Sequence, residues 1–276
     1  MRELFMNSNK VAIITGASKG IGRSTALKFA ANNYYVALVG RNLEELDQLG
    51  LEIEKNYSMQ VLICAGDLAN EEFLRQVVAD TFGKWGRIDV LINNAAWRTI
   101  ETMRTITLEN WEKTIRICLT APAFLAKYTA TIMEESGTGG VIINISSVMS
   151  NRAGGNSPAY IVCKGGLESL TFELAVLYGP KNIRVVSVNP GNITTDLSND
   201  YLDEQGNNVS QKLIESMNES TPLGRPGTAE EIANVSYWLS TTEASFITGT
   251  SILVDGGFLH NFNSYPLKKL QYPKEF

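Results

Sequence analysis

The sequence predicts an α/β fold built on one doubly wound, Rossmann-like parallel sheet of about seven strands. Three observations carry this. Short, β-branched apolar runs alternate with longer amphipathic stretches from one end of the chain to the other. Those runs are apolar throughout and do not alternate with polar residues, and the first opens directly into a glycine-rich turn. Strand and helix in alternation imply parallel strands with helices on both faces, joined by right-handed crossovers. Strands covered on both faces lose the apolar/polar alternation.

In order, strands are expected at residues 11–15, 35–39, 61–64, 90–93, 141–145, 184–189 and 251–254. Helices are expected at 21–32, 43–56, 71–82, 108–135, 159–178 and 229–240. The pattern does not break in the middle, so residues 1–276 read as a single domain. Residues 192–223 are polar with few strand or helix signals, and read as a lid over the carboxyl edge of the sheet. The tail, 258–276, holds Phe258, Phe262, Tyr265, Tyr272 and Phe276. It reads either as a frayed terminus or as a segment packed on a neighbouring subunit.

Composition narrows the function. With 44% hydrophobic and 19% charged residues the chain is globular. Its net charge of -5 leaves no cation excess to meet nucleic acid or an anionic membrane. No apolar run approaches the length of a membrane span, and residues 1–10 lack a signal-peptide core. Three cysteines (Cys64, Cys118, Cys163), odd in number and without metal-like spacing, read as reduced thiols of a cytoplasmic protein with no metal. A lone histidine, His260 near the C-terminus, argues against a Ser-His-Asp hydrolase.

The first strand runs into Thr15-Gly16-Ala17-Ser18-Lys19-Gly20-Ile21-Gly22 and then a helix. Glycines there allow a tight turn and bring a pyrophosphate close to backbone N–H groups at the positive helix end. Between first strand and first helix, such a turn is a strong dinucleotide signal. Asp67, followed by Leu68, ends the third strand, where it reads either as an adenine acceptor or as an N-cap. The fourth strand closes with Asn93-Asn94-Ala95-Ala96, small enough to lie beside a flat cofactor. Further on stand Ser147, Tyr160 and Lys164. Four apart on a helix, Tyr160 and Lys164 share one face, and an ammonium beside a phenol favours the phenolate.

These elements, in this order, resemble the short-chain dehydrogenase/reductase family over roughly residues 10–257. Ser147 stands thirteen residues before Tyr160, and Pro190-Gly191-Asn192-Ile193-Thr194-Thr195 and Val254-Asp255-Gly256-Gly257 complete the match. The resemblance implies an oxidoreductase interconverting a carbonyl and a secondary alcohol by hydride transfer. Tyr160 would be the general acid/base, Ser147 would hold the carbonyl oxygen, and Lys164 would bond the nicotinamide ribose. Ile193 and Thr195 would fix the carboxamide, and Pro190 and Gly191 would also bind the cofactor. Cys118 stands where the family usually has a catalytic Asn, which puts the proton relay to Lys164 in question.

NADP(H) is the expected cofactor, with NAD(H) second. Gly40 ends the second strand where a carboxylate would select NAD, while Arg41 and Lys19 offer a 2′-phosphate two cations and no anion. Trp97, Arg98, Met149 and Arg152 are expected with Ser147 in the substrate pocket. A 3-oxoacyl-carrier-protein reductase is an alternative, disfavoured because Glu134-Glu135 would repel an acidic carrier. A weakly catalytic nucleotide sensor of the same fold is another. The helices at 108–135 and 159–178 are apolar on more than one face (Leu119, Phe124 and Leu125; Leu167, Leu170 and Phe172). A second partner is therefore expected, and the resemblance implies a homotetramer.

Overall fold

The computed structural model describes residues 9–195, 201–203 and 205–276. The chain begins β1 (Lys10–Thr15), α1 (Gly20–Ala30), β2 (Tyr34–Gly40), α2 (Leu43–Tyr57) and β3 (Val61–Ala65). It continues with α3 (Glu71–Trp85), β4 (Val90–Asn93), α4 (Leu108–Ile115), α5 (Ala121–Ser136) and β5 (Gly140–Ile145). Then follow α6 (Pro158–Tyr178), β6 (Ile183–Pro190), α7 (Ser210–Ser220), α8 (Ala229–Ser240), β7 (Thr250–Val254) and α9 (Tyr265–Gln271). The seven strands form one parallel sheet in the order β3-β2-β1-β4-β5-β6-β7.

Strands β1 to β6 each feed two cores, which is why their residues are apolar in succession. Val11 and Ile13 of β1 enter the layer with Leu74, Val77, Leu125 and Met133. Ala12 and Ile14 point the other way, among Ala26, Phe29, Leu46 and Leu239. The chain winds outward from β1 to β3, then returns to place β4 on the other side of β1. That reversal opens a crevice at the carboxyl ends of β1 and β4, where sheets of this kind bind ligands.

Two regions differ from expectation. The helix at 108–135 is not uniform: between α4 and α5 the segment Arg116–Thr120 forms a π turn, with the Ala121 N–H donating to the Arg116 carbonyl. Apolar periodicity does not report which carbonyl each amide takes, so the widened turn leaves no mark in the pattern. The polar block 192–223 contains α7, whose half-buried Ile214 and Met217 share a face. Its partner is α9 of the tail. The tail is neither frayed nor free of its own chain: Asn261 Nδ2 donates to the Ser220 carbonyl at 2.6 Å, and Lys268 Nζ to Asn261 Oδ1 at 2.6 Å.

Candidate active site

The crevice starts at the turn between β1 and α1. Gly16 has φ +64, and a Cβ on Gly22 would lie 2.1 Å from the Gly16 carbonyl oxygen, so both positions require glycine. Asn94 braces the turn, its Nδ2 donating to the carbonyls of Thr15 (2.9 Å) and Gly16 (3.2 Å). Thr15 Oγ1 accepts from the N–H groups of Asn94 and Ala95 at 2.9 and 3.0 Å. Turn and strand end are thus one rigid unit.

The helix that follows is prepared for an anion. Asn42, Asn70 and Thr228 cap α2, α3 and α8 with side-chain oxygens, and each of those helices has acidic residues in its first turn. At α1 the N-cap is Lys19, with no side-chain cap and no acid in the first turn. Its leading amides keep the positive end of the helix available, which suits a pyrophosphate. Asn70 caps α3, so Asp67 is not that cap; its Oδ1 accepts from the Ala69 N–H at 2.9 Å.

A cleft of about 360 Å³ extends from this turn. Gly16, Ser18, Lys19, Arg41, Asp67, Leu68 and Ala95 line it, joined by Glu45, Trp97 and Ile117. Pro190 ends β6, and the loop beyond it reaches the turn from the other side. A Cβ on Gly20 would meet Thr195 Cγ2 at 3.2 Å, and Gly191 lies against Asp255. Buried Ile193 is fixed beside Gly227, whose carbonyl accepts from the Thr194 N–H at 3.0 Å.

Beyond the cleft, after β5 and on α6, stand Ser147, Tyr160 and Lys164. Lys164, only 2% exposed, donates from Nζ to the Ile145 carbonyl at 2.6 Å and lies 5.2 Å from the centre of the Tyr160 ring. Ser147 Oγ accepts from the Met149 N–H at 3.1 Å, which leaves its own hydrogen to donate elsewhere. Tyr160, Trp97 and Ala96 pack against the buried cluster of Ile117, Cys118 and Cys163. Cys118 Sγ accepts from the Trp97 N–H and donates to the Trp97 carbonyl, both at 3.2 Å. Burial raises the pKa of Cys118 and pushes Cys163 to about 12, so both remain thiols.

Residues 16–259 match the family model described as enoyl-(acyl carrier protein) reductase. The chain belongs to the short-chain dehydrogenase/reductase family. It is 36% identical over 257 residues to an uncharacterized oxidoreductase of Thermotoga maritima, covering 91% of this chain and 96% of that one. It is 31% identical over 251 residues to glucose 1-dehydrogenase 2 of Bacillus subtilis, covering 91% and 95%. Among solved structures it superposes on L-sorbose reductase from Gluconobacter frateurii, complexed with NADPH and L-sorbose, with TM-score 0.85. That pair is 30% identical and covers 91% and 97%. This short-chain dehydrogenase/reductase is therefore an oxidoreductase of a nicotinamide-using family.

Trp97, Arg152 and Lys19 make contacts that the sequence does not reveal. Trp97 lines the cleft beside the glycine turn, and Arg41 Cζ lies 5.4 Å and Lys113 Nζ 3.9 Å from its ring centre. Arg152 is spent on the tail, donating to the Phe258 carbonyl at 2.8 Å with its guanidinium 4.2 Å from that ring. The two cations at the adenosine end do not stand without an anion, because Glu45 Oε1 pairs with Lys19 Nζ at 2.8 Å. Arg98 donates to Tyr201 Oη at 2.9 Å and so joins the loop after β4 to the segment that precedes α7.

A group the sequence did not single out lies behind Ser147. Glu168 accepts from Ser150 Oγ and Asn189 Nδ2. It thereby ties the turn after β5 to the end of β6. Glu168 is one turn beyond Lys164, the spacing that already joins Tyr160 to Lys164 and the only signal that pointed to it.

Proposed function

We propose that this protein is an NADP(H)-dependent oxidoreductase interconverting a small-molecule carbonyl and its secondary alcohol, within a single catalytic domain. The observation that carries the reading is Lys164, a buried ammonium fixed on the Ile145 carbonyl and set against the Tyr160 ring. A buried cation needs a compensating group, and the phenol oxygen gains negative charge when it gives up a proton. In reduction, Tyr160 gives its hydroxyl proton to the carbonyl oxygen; in oxidation it takes that proton back. Ser147, whose Oγ already accepts from Met149, donates its hydrogen to the same oxygen. When bound, the nicotinamide supplies or accepts the hydride.

The preference for NADP(H) rests on Arg41 and Lys19, both in the lining of the adenosine end. A planar guanidinium matches a phosphate with two parallel donors. The NADPH in the L-sorbose reductase complex supports the same choice. Ser147, Met149, Arg98 and Trp97 are the residues proposed to meet substrate; Arg152, bonded to the Phe258 carbonyl, would act only through the tail. Sugars and related polyols come first for testing, given the names of the relatives.

The test is consumption of NADPH and NADH with a panel of ketoses, aldoses and lipophilic ketones. Tyr160→Phe should lower kcat by about 100-fold or more while cofactor affinity stays within two-fold or so. Full activity in that variant would remove Tyr160 from the chemistry. Tight NADPH binding with silence across the whole panel would favour a sensor over an enzyme.

A further inference from the structure

The adenosine end of the cleft contains a carboxylate that no cofactor contact requires. Glu45 lies in the first turn of α2, three residues after the cap Asn42, and lines the cleft with Ser18, Lys19, Arg41 and Asn42. Its Oε1 is 2.8 Å from Lys19 Nζ, with the Glu45 side chain 27% and the Lys19 side chain 59% exposed. The carboxylate is held below its usual pKa, first by the hydrogen bond from Lys19 and also by one from Ser18. It is therefore an anion at neutral pH.

We infer that Glu45 is a specificity-determining residue: it competes with the 2′-phosphate of NADP(H) for Lys19 and so narrows the preference for NADP(H) over NAD(H). This rests on the proposed NADP(H) preference. An ammonium directs its donors tetrahedrally, so a phosphate oxygen bonded to Lys19 would sit roughly 4–5 Å from the Glu45 oxygen already there. Two anions at that separation repel. Lys19 must either share its donors against this repulsion or leave Glu45. Both routes weaken binding of the phosphorylated cofactor, whereas NAD(H) brings no charge to this corner. Arg41 is held against Trp97, away from this pair, and supplies the attraction that remains.

The test is direct binding of NADPH and of NADH to the parent, Glu45→Gln, Lys19→Met and the double variant, followed by Trp fluorescence. Glutamine keeps the length and removes the charge. In Glu45→Gln the NADPH/NADH affinity ratio should rise roughly three- to five-fold, the range of one partly exposed ion pair. In the Lys19→Met background the same substitution should leave the ratio unchanged. An unaltered ratio in Glu45→Gln overturns the inference. So does a rise that persists without Lys19, because Glu45 would then act on the phosphate directly. A parent that binds NADH as tightly as NADPH would instead count against the proposed cofactor preference, and the change on Glu45→Gln would still be read separately.

Discussion

The guanidinium carbon of Arg41 lies 5.4 Å from the centre of the Trp97 ring, in the cleft beside the glycine turn. Arg41 follows the last residue of β2, and Trp97 follows the small residues that close β4, so two loops of the sheet edge meet through this pair. A cation over an indole gains about 0.5–1 kcal/mol at an exposed site. The contact keeps the fork of Arg41 at the cleft before any phosphate arrives, and less side-chain freedom is lost on binding. Trp97→Leu should therefore weaken NADPH about two- to five-fold and NADH less. In an Arg41→Ala background the NADPH-specific part should disappear. Equal losses for both cofactors would show that Trp97 contacts the adenosine itself and does not work through Arg41.

Cys118 stands in the π turn and is hydrogen-bonded to both backbone groups of Trp97. Its sulfur bridges the N–H and carbonyl of Trp97, holding the strand end to the π turn. Cys118→Ala removes a buried thiol and leaves two backbone groups without that partner, at a cost of about 1–3 kcal/mol. Urea unfolding should show a lower midpoint with an unchanged slope. Cys118→Ser keeps a donor and an acceptor and should recover most of the loss. If Ala and Ser variants are equally stable, the sulfur contacts carry no weight.

The outer face of α6 predicts the assembly. Val176 is 79% exposed, and Val162, Phe172 and Leu177 are exposed with it. A row of apolar side chains on a 21-residue helix is costly in water and marks a surface that becomes covered. We expect a homotetramer by light scattering at micromolar concentration. Val176→Lys should reduce the mass to that of a smaller species. A parent that runs as a monomer would refute this.

How much was legible follows from how local each signal is. The turn from Gly16 to Gly22 could be read because only glycine survives a 2.1 Å approach to a carbonyl. Tyr160 and Lys164 could be read because helix geometry alone puts them on one face. Glu45 could not: whether an acid in the first turn of α2 meets Lys19 depends on where α2 lies beside α1. The contact of Arg152 with Phe258 was hidden for the same reason, since the two lie 106 residues apart. The helix α7 was hidden because the segment that supports it, α9, lies in the tail. Local pattern finds the glycine cradle and the pairing of Tyr160 with Lys164, whereas the charges around them are set by tertiary packing.

The last prediction concerns the loop that backs Ile193 and Thr194. The N–H of Gly227 donates to the Asn192 carbonyl at 2.8 Å, so residues 225–228 position the segment expected to face the nicotinamide. Glu231 secures that loop twice, accepting from Arg225 at 2.7 Å and from the Thr228 N–H at 2.8 Å. Those bonds, the one from Arg225 first, lower its pKa to about 2. An unfolded glutamate titrates near 4.3. The folded value is the lower one, so the stabilisation is fully present above roughly pH 4.3 and is lost as pH falls towards 2. Glu231→Gln keeps the acceptor for Thr228 and removes the charge. The parent should melt above this variant by a constant margin from pH 7 to about pH 5, and the margin should shrink as pH is lowered further. Because the pair is exposed, added salt should also reduce it. A margin independent of both pH and salt would assign the effect to packing and remove the ion pair from the account.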